Sequence, residues 1–128
     1  MKTAISVVIA GALIAGAILL AGSSGGKAAV ASVANVSVTD GKQIIEIDAK
    51  GGFAPKLTAA KAGMPTTLRM KTNGTFDCSA SVVIPSLSYR QFLPPSGNTD
   101  IEVPPQQSGT TLQGVCAMGM YHFAVQFN

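Results

Sequence analysis

From Ala4 to Ala21 the chain runs AISVVIAGALIAGAILLA without one charged residue. At about 1.5 Å per residue, a helix of this stretch spans roughly 27 Å, close to the hydrocarbon thickness of a bilayer. Lys2 and the α-amine stand just before it. The positive-inside rule keeps that end cytoplasmic and exports the C-terminal remainder of the chain. A cleaved signal peptide is the alternative, with a small-residue site at Ala21-Gly22-Ser23. Signal cores are normally about 7–15 residues, shorter than this one. Residues 1–22 are therefore expected to form an uncleaved transmembrane anchor. Residues 23–35, rich in Gly, Ser and Ala, read as a flexible linker.

The pattern changes after Val36. Gln43 to Ala49 alternates, with Ile45, Ile47 and Ala49 on one face. Ala62-Gly63-Met64-Pro65 is a turn, after which Thr66, Leu68 and Met70 alternate against Thr67, Arg69 and Lys71. Ser81–Ile84 is a short apolar run stopped by Pro85, and Asp100–Val103 another stopped by Pro104. Thr110 to Cys116 follows Ser108-Gly109 as a strand candidate. His122 to Phe127 closes the chain with Phe123, Val125 and Phe127 on one face. Ala59-Ala60-Lys61-Ala62 is too short to count as a helix. Short strands closely punctuated by Pro and Gly predict an all-β sandwich or barrel over residues 36–128.

Composition narrows the function. The 128 residues carry nine Lys/Arg against six Asp/Glu with no run of either sign, which argues against a nucleic-acid partner. A hydrophobic content of 47% excludes a disordered tail. Two cysteines are too few for a disulfide scaffold. A single His excludes any site that needs two imidazoles from one chain. No nucleophile–base or paired-carboxylate constellation stands out, so no enzyme is predicted.

The chemistry gathers in Cys116-Ala117-Met118-Gly119-Met120-Tyr121-His122, where a thiol, two thioethers and an imidazole recur at every second residue. Thiolates and thioethers are soft donors that suit Cu(I) far better than Mg²⁺, Ca²⁺ or Mn²⁺. Gly119 lets the backbone curl so that the sulfurs converge. Cys78 opens the Ser81–Ile84 region and can join the set from a neighbouring strand. Three plainer readings stand beside this one. Methionine in a β-domain is usually core filler, which is accepted for Met64 and Met70. Two cysteines in an exported domain usually pair. His122 can be a plain surface residue at a strand start.

Cys78-Ser79, Val83-Ile84-Pro85-Ser86-Leu87, Leu93-Pro94, Ile101 with Pro104, Gly109 and the final Cys-x-Met-x-Met resemble a known family. Gly52-Phe53-x-Pro55 and Ala62-Gly63-x-Pro65 fit it too. The family is that of the cupredoxin-like domains of bacterial copper resistance. One branch is a membrane-anchored extracytoplasmic Cu(I) chaperone of streptococci, and related domains are fused to copper-exporting P-type ATPases. The resemblance covers roughly Ile44 to Asn128. It implies a Greek-key β-sandwich in which Cys78 and Cys116 form a tight bis-thiolate pair for Cu(I). Met118 and Met120 would complete a weaker second position that shares a bridging thiolate, so one or two Cu(I) ions are held. Two departures from the family pattern are Ala117, where Gly is common, and Tyr121-His122-Phe123, where a Gly usually stands. The second leaves His122 as a possible extra ligand.

The resulting expectation is a single-pass cell-membrane protein whose extracytoplasmic domain stores Cu(I). It would hand the ion to a copper-transporting P-type ATPase or another copper-receiving membrane protein. A type-1 blue copper site needs two His, one Cys and an axial Met, and one imidazole is missing. The rivals are an exported structural sandwich bridged by Cys78–Cys116, with Met118 and Met120 packed inside, and an atypical cupredoxin electron carrier.

Overall fold

The computed structural model describes residues 31–128, and in it the alternating segments become the strands of two stacked sheets. The strands are β1 (Val36–Thr39), β2 (Lys42–Ala49), β3 (Phe53–Ala54), β4 (Leu57–Ala60) and β5 (Thr66–Thr72), then β6 (Ser81–Ile84), β7 (Tyr89–Phe92), β8 (Gly97–Val103), β9 (Thr111–Val115) and β10 (His122–Phe127). One sheet has the order β1-β2-β5-β8, with β3 also paired to β2; the other is β4-β10-β9-β6-β7. The chain changes sheet between β3 and β4, β4 and β5, β5 and β6, β7 and β8, and β8 and β9. These crossings make β2 and β5 parallel neighbours, and likewise β4 and β10. Among the described residues the only helical elements are two 3₁₀ turns, Cys78–Ala80 and Pro85–Leu87. No helix among them is long and apolar enough to cross a membrane, and the expected anchor, residues 1–22, lies outside the described residues.

The two-residue period decides what is buried. Ile45, Ile47 and Ala49 of β2 share the core with Leu68 and Met70 of β5, and Phe123, Val125 and Phe127 of β10 enter it from the other sheet. Each large side chain removed from water contributes about 1.5–3 kcal/mol. Phe123 meets Phe53 edge-to-face at 5.0 Å between ring centres. Its ring lies across Gly114 on the neighbouring strand, where any Cβ would overlap it. Met70 is fully buried, as expected for core filler.

Several elements escaped the sequence pattern. Leu57–Ala60, overlapping the Ala-rich stretch set aside as too short for a helix, is β4, drawn into the sheet by β10. β7 is an edge strand, mostly exposed, so no alternation marks it. β8 begins at Gly97, three residues before the apolar run that signals it. Of the expected linker 23–35, residues 23–30 lie outside the described residues, while Ser32 and Asn35 hydrogen-bond to the sandwich. Ser32 bridges to Thr58 of β4, and the Asn35 side-chain amide donates to the Glu46 carbonyl at 2.9 Å and to Thr58 Oγ1 at 3.0 Å.

Candidate metal centre

β9 and β10 form a hairpin joined by the loop Cys116–Tyr121. The Cys116 N–H donates to the Tyr121 carbonyl at 3.0 Å, which closes the loop at its base. Inside it, the Gly119 N–H donates to the Cys116 carbonyl at 2.9 Å, and Gly119 adopts a φ of 75°. That left-handed conformation is strained for residues with a Cβ, so glycine fits the turn. The loop returns β10 antiparallel to β9 and leaves the intervening side chains at one end of the sandwich.

Cys78 arrives at the same end from the 3₁₀ turn that precedes β6. Cys78 and Cys116 are joined as a disulfide, with Cα atoms 5.7 Å apart. Among the described residues no free cysteine remains. The sequence left open whether these residues pair or stay as thiols; here they are paired. Cys116 is 1% exposed, whereas Cys78 is half-buried. The pair is thus open from the Cys78 side.

One hydroxyl holds both cysteine segments in register. Ser81 Oγ donates to the Cys78 carbonyl at 2.9 Å and accepts the Ala117 N–H at 3.0 Å. Ser81 is buried at the start of β6. The Cys78 turn has a second brace, because the buried Ser79 hydroxyl donates to Asp77 Oδ1 at 2.6 Å. That bond, helped by the Gly51 backbone, holds the Asp77 carboxyl below the usual carboxylate range. From sequence, Ser81 is only the start of an apolar run and Ser79 only the neighbour of Cys78 in the family resemblance. Serines are plentiful in the chain, and only their position beside the two cysteine segments distinguishes these two.

Met118 and Met120 lie on the loop with 78% and 61% of their surface exposed. The core-filler reading therefore fails for both, while it holds for Met70. His122 is exposed on the outer face of β10 and, with Met120, borders a depression of about 250 Å³ that also touches Phe53, Lys56 and Tyr121. The structure thus brings all five expected residues to one end of the sandwich. It bonds two together, exposes two beside them and places His122 at the loop exit. Among the described residues no group of three or more His, Cys, Asp or Glu gathers as a metal cluster. That leaves sulfur as the donor type this end can supply in number. A reduced Cys78/Cys116 pair with neighbouring thioethers fits a soft monovalent ion and is a poor match for a hard divalent one.

The comparisons with known proteins agree with this architecture. No curated protein sequence matches the chain. Among solved structures, the metal-binding domain of the Streptococcus pneumoniae D39 Cu(I)-exporting P-type ATPase CopA, determined with Cu(I), superposes with a TM-score of 0.66 at 18% identity, covering 78% of this chain and 99% of that one. A copper binding protein, solved in its apo form by NMR, superposes with a TM-score of 0.67 at 22% identity, covering 77% of this chain and 100% of that one. At these identities the likeness is one of fold. The sequence model of the cupredoxin-like domain matches residues 12–127, and by that match the chain belongs to the cupredoxin-like domain family.

Proposed function

We propose that this protein is a membrane-anchored, extracytoplasmic Cu(I) carrier that stores cuprous ion and hands it over at the cysteine end of its sandwich. One observation carries the reading: Cys78 and Cys116 are within bonding reach, and two exposed methionines share the loop of the second cysteine. An exposed thioether gains nothing from the hydrophobic effect. Its place beside a cysteine pair makes sense as a soft ligand. The likeness in fold to the copper-binding domains above supports the same ion.

The disulfide is the resting, oxidised form. Two electrons and two protons from a dithiol reductant break the Sγ–Sγ bond and give two thiols, while the reductant becomes a disulfide. The thiols lose their protons on binding Cu(I), which the two thiolates hold as the tight site. Met118 and Met120 supply the weaker, accessible position at the rim, so the protein takes one or two ions. His122 borders the same rim as a candidate extra donor. A receiving protein removes the ion by stepwise ligand exchange, so no free ion is released. Tethering to the membrane raises the effective concentration near that partner. The partner is a copper-transporting P-type ATPase or another copper-receiving membrane protein. No catalytic role is assigned to any residue.

The disulfide also favours a second reading, a structural module in which the bridge is permanent. An anaerobic Cu(I) titration of the pre-reduced full chain against a chromophoric chelator separates the two. The carrier binds two ions; Cys78→Ser removes the tight one, and Met118→Leu/Met120→Leu removes the weaker one and spares the tight one. Failure of the reduced protein to compete for Cu(I) selects the structural module.

A further inference from the structure

The described chain starts part-way along the sandwich, where Ser32 lies level with Thr58 of β4 and Val125 of β10. Ser32 donates its N–H to the Leu57 carbonyl at 2.9 Å and accepts the Ala59 N–H at 2.9 Å, so it runs parallel to β4. β4 in turn runs parallel to β10, which starts at His122, directly after the Cys116–Tyr121 loop. The chain therefore approaches Ser32 from the side of that loop. Only residues 22–31 separate Ser32 from the apolar stretch ending at Ala21. Ten residues reach at most about 35 Å. The longest strand, β2, has eight residues and is about 27 Å long. A chain that enters Ser32 from the side of the Cys116–Tyr121 loop turns that end of the sandwich toward the anchor.

That end also carries most of the large exposed hydrophobic side chains among the described residues. The large exposed hydrophobic side chains among the described residues are Val33, Val38, Phe76, Phe92, Met118 and Met120. The last four belong to the cysteine end. Phe92 closes β7 opposite Ser81. Phe76 comes after Thr75, whose N–H donates to the Pro95 carbonyl at 2.9 Å just beyond β7. Both rings are 85% exposed at this one end of the sandwich. The loops of this end carry two lysines, Lys50 and Lys56, and one carboxylate, Asp77, so their charge does not oppose an anionic surface.

We propose that the cysteine end seats Phe76 and Phe92 in the lipid surface to which the chain is tethered. This rests on the anchor assigned to residues 1–22 under the proposed function. Aromatic and lysine side chains together suit the boundary between headgroups and acyl chains. The cysteine pair and the methionine loop then lie at the membrane plane, and a membrane-embedded acceptor meets them laterally.

The chain contains no Trp, so each tryptophan introduced is a single reporter. The test compares Phe76→Trp, Phe92→Trp and Val38→Trp in the full chain, reconstituted in phosphatidylcholine/phosphatidylglycerol vesicles with and without acyl-brominated lipid. All three positions are exposed, and Val38 belongs to β1 next to its turn with β2, at the opposite end. Flotation is scored on the same samples. The expected result is blue-shifted emission that brominated lipid quenches for Phe76→Trp and Phe92→Trp, while Val38→Trp is unaffected. Either aromatic position suffices should the other variant fail to fold. Flotation without quenching at 76 and 92 overturns the docking and leaves the anchor standing. A blue shift without quenching means that a second copy or another protein covers the face, which also overturns it. Failure to float removes the anchor itself and the proposal with it.

Discussion

The two ends of the sandwich are held shut by different chemistry. At the end away from the cysteines, the fully buried Gln43 does the fastening. Its Nε2 donates to the Lys61 carbonyl and to Thr66 Oγ1, both at 3.1 Å, and its Oε1 accepts the Lys61 N–H at 2.9 Å. Around it, turns of Gly and Pro expose little large apolar surface apart from Val33 and Val38. At the cysteine end a disulfide and one serine hydroxyl serve the same purpose, and four large apolar side chains are left in water. A neutral amide network needs no reductant or ion to complete it. A cysteine pair can be opened, filled and closed again. On the proposed carrier function, the difference separates the end that only has to stay folded from the end that has to exchange an ion.

The largest effect comes from opening the covalent clasp. Its 38-residue separation corresponds to a loop-closure contribution of about 4 kcal/mol. Dithiol reduction, or Cys78→Ser, is expected to lower the thermal midpoint of the domain substantially, by roughly 4–8 °C per kcal/mol for a domain of this size. Adding Cu(I) restores stability to the reduced wild type by mass action and stabilises Cys78→Ser, which lacks the tight site, much less. Calorimetry on the oxidised wild type, and on the reduced wild type and Cys78→Ser each with and without Cu(I), reads both effects. Equal stabilisation of both proteins by Cu(I) would place the ion away from the cysteines.

A smaller effect compares the two polar fasteners directly. Gln43→Met keeps the volume but leaves the Lys61 amide N–H and carbonyl short of partners, at a cost of about 1–3 kcal/mol. Ser81→Ala strips one bond from the Cys78 carbonyl and one from the Ala117 N–H, at a cost of about 1–2 kcal/mol, since Ala117 is exposed and water can replace its bond. The two differ in what else they change. Ser81→Ala is expected to weaken Cu(I) retention by the reduced protein, and Gln43→Met to leave it intact, measured by chelator competition. Loss of retention in both variants would show general loosening, and the division between the ends would fail.

Much of the fold could be read from the sequence, because β2, β5, β8 and β10 each turn alternate side chains into the core and so carry a two-residue alternation. The strands it hid are those for which burial writes no pattern. β7 is an edge with exposed side chains, and β4 is made of small residues whose pairing depends on β10. The candidate centre shows the same limit. Soft donors at Cys116, Met118 and Met120 are visible as residue types. Whether a methionine packs inside, as Met70 does, or stands in water, as Met118 does, depends on which segment carries it. The spacing of Cys78 and Cys116 fits both a disulfide and a thiolate pair, so the oxidised bond had to be seen. Ser81 carried no signal, since its importance comes only from lying between two segments distant in sequence.

The smallest expected effect is that of acid on the outer face of the first sheet. There Arg69 Nε donates to Asp100 Oδ1 at 2.9 Å, and Lys42 Nζ lies 2.9 Å from Glu102 Oε2. The Arg69 hydrogen bond lowers the Asp100 pKa, and the bonds from Lys42 and Thr67 lower that of Glu102. Both carboxylates therefore bind protons less readily in the folded chain than in the unfolded one. Their contribution is fully present above the unfolded carboxylate range near pH 4 and is lost as pH falls through the lower folded values. Asp77, held low by Ser79, acts in the same direction at the cysteine end. Thermal melts from neutral pH into that acid range should show a shallow decline, which Lys42→Met/Arg69→Gln flattens without abolishing. The bridge between the cysteines does not titrate, so acid weakens the sheet face and leaves the clasp closed. An unchanged slope in the double variant would mean that these surface pairs contribute nothing to it and that the acid sensitivity lies at the cysteine end.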